Sequence, residues 1–157
     1  MIKFTKEEIS LCKQIAEKHR KEIRQGDWIL DSDNKPWLIS GVELWKSCRP
    51  GLENTITYDL EPIDRTQEPI VVLEKEEIEK YPALWTISDC LEFLREKGFL
   101  YIEISSPEVD ELFGENWQVV IKHKDGFPEC SISYVIQYAK TPLEALLKAV
   151  LAVLEEK

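Results

Sequence analysis

The sequence predicts an α+β protein. Its C-terminal half reads as an antiparallel three-stranded sheet with two helices on one face, in the order α-β-β-β-α, preceded by a helix and a small antiparallel β region. Three observations predict it. Leu143, Leu146, Leu147, Val150, Leu151 and Leu154 recur at helical spacing. Three segments alternate apolar with other residues: Leu100 to Ile104, Trp117 to Ile121, and Cys130 to Ala139. Turn residues join strands in sequence, which implies an antiparallel meander, and two amphipathic helices suffice to cover its apolar side.

The elements follow in order. Thr5 and Glu8 have capping-box spacing, and Ile9, Cys12, Ile15, Ala16, His19 and Ile23 continue at helical spacing to Gly26. Two apolar runs, Asp27 to Asp31 and Trp37 to Ser40, flank Ser32-Asp33-Asn34-Lys35-Pro36 and read as a hairpin. Lys46 to Asn54 is a loop, Thr55 to Leu60 a half-buried strand, and Pro62 to Pro69 a second loop. Ile70 to Leu73 is a short strand, and Glu74 to Lys80 a charged helical turn stopped by Pro82. Thr86 or Ser88 caps a helix that carries Ile87, Cys90, Leu91 and Leu94 and ends at Gly98. Ser106-Pro107 opens a short helical insert closed by Gly114, and Asp125-Gly126 marks a turn. In the last strand Cys130, Ile132, Tyr134, Ile136 and Tyr138 are assigned to the apolar face. Thr141-Pro142-Leu143-Glu144 caps the final helix.

This divides the chain into residues 1–83, the helix plus small β region, and 84–157, the α-β-β-β-α part. The second is expected to fold alone, and packing of both as one domain stays open. A chain of 157 residues can bury a core without disulfides or metals. At 43% hydrophobic and 32% charged it is too apolar for disorder, and no apolar run is long enough to span a membrane. The N-terminus lacks an apolar signal region, so a cytoplasmic location is expected. A net charge of −10 argues against holding on nucleic acid or anionic lipid by bulk attraction.

No catalytic motif emerges. Cys12, Cys48, Cys90 and Cys130 form no C-x-x-C pair, and in a cytosolic protein they are expected to be reduced, ordinary thiols. Asp31-x-Asp33 starts like a calcium loop, but Lys35, Pro36 and Val42 break the pattern, so it reads as a turn. His19 on an apolar helix face is expected to pack, and His123 at a strand end to be exposed. No nucleophile elbow, phosphate loop or dinucleotide glycine motif occurs. No catalytic residue, metal ligand or cofactor is assigned.

Two aromatic or mixed surfaces remain as binding candidates. Trp28 and Trp37, on opposite arms of the hairpin, are candidate cross-strand neighbours, although tryptophan more often fills cores. The second face of the three-stranded sheet is read as Tyr101, Glu103, Gln118, Val120, Lys122, Ser131, Ser133, Val135 and Gln137. Of these, Tyr101, Val120 and Val135 are the candidate contact residues. The α-β-β-β-α order is shared with double-stranded RNA-binding domains, but acids outnumber bases over residues 84–157, so no nucleic-acid partner is expected.

Gly26-Asp-Trp-Ile-Leu-Asp, Leu84-Trp-Thr-Ile-Ser-Asp-Cys-Leu-Glu-Phe-Leu-Arg-Glu-Lys-Gly-Phe, Trp117-Gln-Val-Val and Thr141-Pro-Leu-Glu-Ala-Leu-Leu-Lys-Ala-Val resemble small uncharacterised proteins of phages and prophages of Gram-positive bacteria. The second part is similar to phage domains described as an α/β sandwich. The resemblance implies a mobile-element accessory protein and carries no chemistry onto any residue. The expected function is that of a non-enzymatic cytoplasmic interaction protein with a protein partner and no membrane partner, self-association staying open. The alternatives are an acidic mimic of nucleic acid that inhibits a host enzyme, and a small enzyme with an unrecognised site.

Overall fold

The computed structural model describes residues 3–46, 48, 51, 55–62, 71–107, 116–123 and 134–155. Among them run α1 (Lys6–Lys18), β1 (Trp28–Leu30), β2 (Pro36–Trp45), β3 (Thr55–Pro62), β4 (Val71–Glu74) and α2 (Lys75–Ile78). β5 (Ala83–Leu84), α3 (Ile87–Glu96), β6 (Tyr101–Ser105), β7 (Trp117–Lys122), β8 (Tyr134–Ala139) and α4 (Pro142–Glu155) follow. The protein is α+β, with two antiparallel sheets of order β4-β3-β2-β1-β5 and β6-β7-β8. No described helix is long and apolar enough to cross a membrane. The expected insert at Ser106 to Gly114, the turn at Asp125-Gly126, Cys130 and most of the loop residues 46–54 and 62–69 lie largely outside the described residues.

The chain forms two compact units, residues 1–19 with 85–157, and residues 20–84. Thus α1, expected with the β region of residues 1–83, belongs with residues 85–157. The reason lies in α4. Its completely buried residues Ala145, Leu146, Leu147, Ala149 and Val150 span about 200° of the helix circumference at 100° per residue. The leucine-valine stripe alone spans a narrower face of about 140° by the same measure. A sheet covers one side of such a helix, so the remainder needs other helices. α4 packs on β7 and β8, and α3 and α1 pack on α4. A fragment of residues 84–157 lacks this cover.

Both ends of that packing are capped. Thr5 Oγ1 accepts from the Glu8 amide at 3.1 Å, and the Thr5 amide donates to Glu8 Oε2 at 2.9 Å. The other Glu8 oxygen accepts from the Thr141 hydroxyl at 2.6 Å, and Thr141 Oγ1 accepts from the Glu144 amide at 3.0 Å. One buried carboxylate therefore ties the first turns of α1 and α4 together.

α1 stops at Lys18, short of the expected Gly26. His19 is extended at φ −148°, and its ring lies 5.9 Å from Trp85 and 5.1 Å from Phe93. Ile23, which fits the helical repeat, packs instead on the core of the other unit. A repeat shared between two cores reads as one helix in sequence. α3 has the expected Thr86 cap, and Gly98 at φ +92° lets the Phe99 amide reach the Leu94 carbonyl at 3.0 Å.

In residues 20–84 the core is Ile29, Ile39, Tyr58, Leu60 and Ile78, with Ile23, Trp37, Ile56, Leu73 and Tyr81 at its margin. Burial, then the charges of Glu79 and Glu22, raises the Tyr58 phenol pKa. β2 is longer than the expected Trp37 to Ser40 because an irregularity between Ile39 and Gly41 carries the pairing onward to Trp45. β5 has two residues, too few to show periodicity.

Leu147→Ala is expected to cost about 2–5 kcal/mol. Lys148→Ala, which removes a contact to Glu144 at 3.4 Å and a bond to the Tyr138 carbonyl at 3.1 Å, is expected to cost about 0–1 kcal/mol. Thermal unfolding distinguishes them, and equal effects would contradict the packing. Because His19 and Trp85 are in ring contact, a few Gly and Ser residues should replace residues 20–84 without unfolding the rest. Dispersed amide NMR signals from that shortened chain are the expected result. A collapsed spectrum would mean residues 20–84 complete the core.

Candidate functional site

The three-stranded sheet is built by pairing Ile102 with Ile121, Glu103 with Val120, Val120 with Ile136, Gln118 with Tyr138, and Ile121 with Val135. Directly paired residues share a face. Val119, Ile121, Val135 and Ala139 are buried. The opposite face therefore presents Tyr101, Glu103, Gln118, Val120, Lys122, Ile136 and Tyr138. Tyr101 and Val120 stand where expected, but Val135 is only 7% exposed and belongs to the core side. Gln137 joins it there, while Ile136 and Tyr138, expected on the apolar face, lie on the other. α4 packs directly on β8. The small side chains of Val135 and Ala139 admit it, whereas Tyr138 keeps its hydroxyl hydrogen-bonded on the open side. Ser131 and Ser133 lie outside the described residues.

Polar groups of this open face engage one another. The Tyr101 hydroxyl donates to Glu103 Oε2 at 2.6 Å, and Gln118 Nε2 donates to the Tyr138 hydroxyl at 3.3 Å. Lys122 Nζ stands 5.1 Å from the Tyr101 ring centre. The bond to Glu103, and its charge, raise the Tyr101 pKa. Both tyrosine rings remain open to solvent, at 49% and 39% exposure.

Trp28 and Trp37 are not cross-strand neighbours. The turn of residues 31–35 sets Trp28 opposite Leu38 and Ile29 opposite Trp37, so the two indoles occupy opposite faces. Trp37 instead faces a cavity of about 230 Å³ lined by Ile29, Asp31, Ser32, Leu60, Leu73 and Tyr81, among others. Asp31 Oδ1 accepts from the amides of Asp33 and Lys35, both at 2.8 Å, and Oδ2 from Trp37 Nε1 at 2.9 Å. Asn34 closes the turn at φ +61°. Burial pushes the Asp31 pKa up, but these three hydrogen bonds and the charge of Lys35 outweigh it and hold the carboxyl below its ordinary value. With both oxygens engaged and its basicity lowered, Asp31 is a structural anion of the turn and a poor general base. The spacing of Asp31, Asp33 and Lys35 is the sequence signal for it. Tyr81, Leu60 and Leu73 reach the cavity only through tertiary pairing.

The remaining candidates are structural. Trp85 is buried with Phe93 and His19. Burial, then Lys97, lowers the His19 pKa, and Glu96 opposes this. His123, expected exposed, is half-buried edge-on to Phe99 at 5.4 Å and against Gly98. Cys12 and Cys90 are buried, and Cys48 is exposed. Among the described residues no group of three or more His, Cys, Asp or Glu could hold a metal ion. Comparison of the chain with protein-family models, curated proteins and solved structures gives no match.

The Asp31 geometry sets a pH dependence. A depressed folded pKa stabilises the fold above the unfolded value of about 3.9, and the contribution disappears as pH falls through the folded value. The unfolding midpoint of the native protein should therefore fall more steeply below about pH 4 than that of Asp31→Asn. Parallel profiles would mean the turn bonds do not favour the carboxylate.

Proposed function

We propose that this chain is a non-enzymatic interaction protein that binds a protein partner through the open face of the sheet β6-β7-β8. The single observation that carries this reading is that face's composition. Two solvent-open tyrosines flank Val120 and Ile136, and its polar groups are already hydrogen-bonded to one another. Tyrosine supplies large contact area at low cost in side-chain entropy, and satisfied polar groups lose little when water leaves. In this reading the helices cover only one side of the sheet, leaving the other for a partner. A cytoplasmic setting and an accessory role in a phage or prophage belong to the same proposal, supported by the sequence resemblance.

The test is comparative cross-linking of the native protein and Tyr101→Arg/Val120→Arg in cells of a Gram-positive host. A partner cross-linked through this face in the native protein, and lost in the variant with an unchanged melting temperature, is the expected outcome. Partners retained by the folded variant would place the interaction elsewhere.

A further inference from the structure

We propose that the β2-β3-β4 part of the sheet face opposite Ile39, Tyr58 and Leu60 is a docking surface for an arginine-bearing polypeptide segment. At β1 and β5 the same face is closed, with Leu30 and Leu84 fully buried. The strands of this sheet contain four carboxylates, Glu43, Asp59, Glu61 and Glu74, and no Lys or Arg. Register places all four on one face. Gly41 pairs with Asp59 and Asp59 with Val72, Glu43 pairs with Thr57 and Thr57 with Glu74, and Leu38 pairs with Glu61. Asp59 is thus the centre. Glu43 and Glu74 sit diagonally on either side of it, about 7–8 Å away, and Glu61 lies two residues along the strand. The core residues Ile39, Tyr58 and Leu60 take the opposite face.

Such a grouping of like charges disfavours itself, and none of the four is ion-paired among the described residues. The open face of β6-β7-β8 differs, since among its described residues it carries one acid, Glu103, and one base, Lys122. Gly41 adds a local opening. A Cβ at that position would come within 2.9 Å of Asp59 Oδ2, so only glycine lets this carboxylate lie across β2.

Apolar anchors sit within the same surface. Trp45 is 58% exposed, and its indole is fixed by an Nε1–H bond to Thr57 Oγ1 at 2.8 Å. That bond directs the ring toward the position facing Glu43. Val72, 57% exposed, stands beside Asp59. An immobilised indole next to a carboxylate suits guanidinium, which stacks on the ring and donates to the acid together. Lysine makes the ionic contact but stacks less well.

Charge selects the occupant. A second copy docked on this face would bring four carboxylates against four. Nucleic acid is repelled for the same reason. Trp45 and Val72 have no counterpart on a phosphate backbone, so the surface matches a polypeptide receptor better than a nucleic-acid mimic. The inference rests on the reading of this chain as an interaction protein, through a different sheet.

The test uses the full chain and a fluorescein-labelled octa-arginine peptide, followed by anisotropy at physiological salt. Glu43→Gln/Glu61→Gln/Glu74→Gln should weaken binding about ten-fold or more, equivalent to about 1.4 kcal/mol. Glu17→Gln/Glu96→Gln/Glu155→Gln makes the same change in net charge on exposed helix positions and should weaken it less than about two-fold. Trp45→Ala, at unchanged charge, should also weaken it, and octa-lysine should bind less tightly than octa-arginine. Equal losses in the two charge variants, or no effect of Trp45→Ala, would show attraction by net charge alone and overturn the proposal. Salt-sensitive dimers relieved by the sheet variant would overturn it in favour of a second copy. Tyr101→Arg/Val120→Arg should leave peptide binding unchanged, so failure here and failure of the open face of β6-β7-β8 are read separately.

Discussion

A helix that buries about 200° of its circumference cannot be satisfied by one neighbour. α4 imposes that constraint on residues 1–19 and 85–157. Its large side chains, Leu146, Leu147 and Val150, and its small ones, Ala145 and Ala149, are all shut from solvent. The sheet covers one flank and α1 and α3 supply the rest. The shared carboxylate of Glu8 follows from this arrangement. At α1 one Glu8 oxygen accepts from the Thr5 amide. At α4 Thr141 Oγ1 accepts from the Glu144 amide, and the Thr141 hydroxyl donates to the second Glu8 oxygen, which links the two caps. Residues far apart in sequence therefore form one core, and the intervening residues 20–84 build another.

That topology explains what could be read from sequence. Elements defined by local chemistry were legible: the caps at Thr5, Thr86 and Thr141, the stop at Gly98, and the stripe on α4. The alternation of β7 was legible because Gln118 and Lys122 bracket Val119 to Ile121 and fix the parity of the strand. β8 was not, because Tyr134 to Ala139 carries apolar residues on both faces, and only pairing with β7 decides which side is buried. Ile23 misled for a related reason, since helical spacing cannot reveal that a residue has crossed into a second core. The placement of α1 was hidden because its partner lies at the far end of the chain.

The candidate surfaces divide along the same line. Tyr101 and Val120 could be placed from the period of their strands. Trp28 and Trp37 could not, because a turn of five residues shifts the register by one and reverses the relation of the two rings. The role of Asp31 was half visible, since its spacing to Asp33 and Lys35 is that of a turn. Its bond to Trp37 depends on the hairpin closing. Gathering Glu43, Asp59, Glu61 and Glu74 onto one face required the irregularity after Ile39, which resets the alternation of β2 relative to β3.

The two sheets present charge in opposite ways, and this bears on how each meets a partner. On β6-β7-β8, Glu103 is held by Tyr101, and Lys122 stands over that ring, so the field outside is short-ranged. In the proposed reading, binding there depends on contact area and on fit. On the five-stranded sheet the strands bring four acids and no bases, the exposed Lys46 and Lys75 standing just past the ends of β2 and β4. In the proposed reading the excess of acids acts out to about the 8 Å screening length of physiological salt. Such a surface steers an oppositely charged segment before contact, and the fixed indole of Trp45 then discriminates among cations by shape. Charge sets the rate of arrival there, and the aromatic sets what stays. The tyrosine face lacks the first of these and must rely on the second.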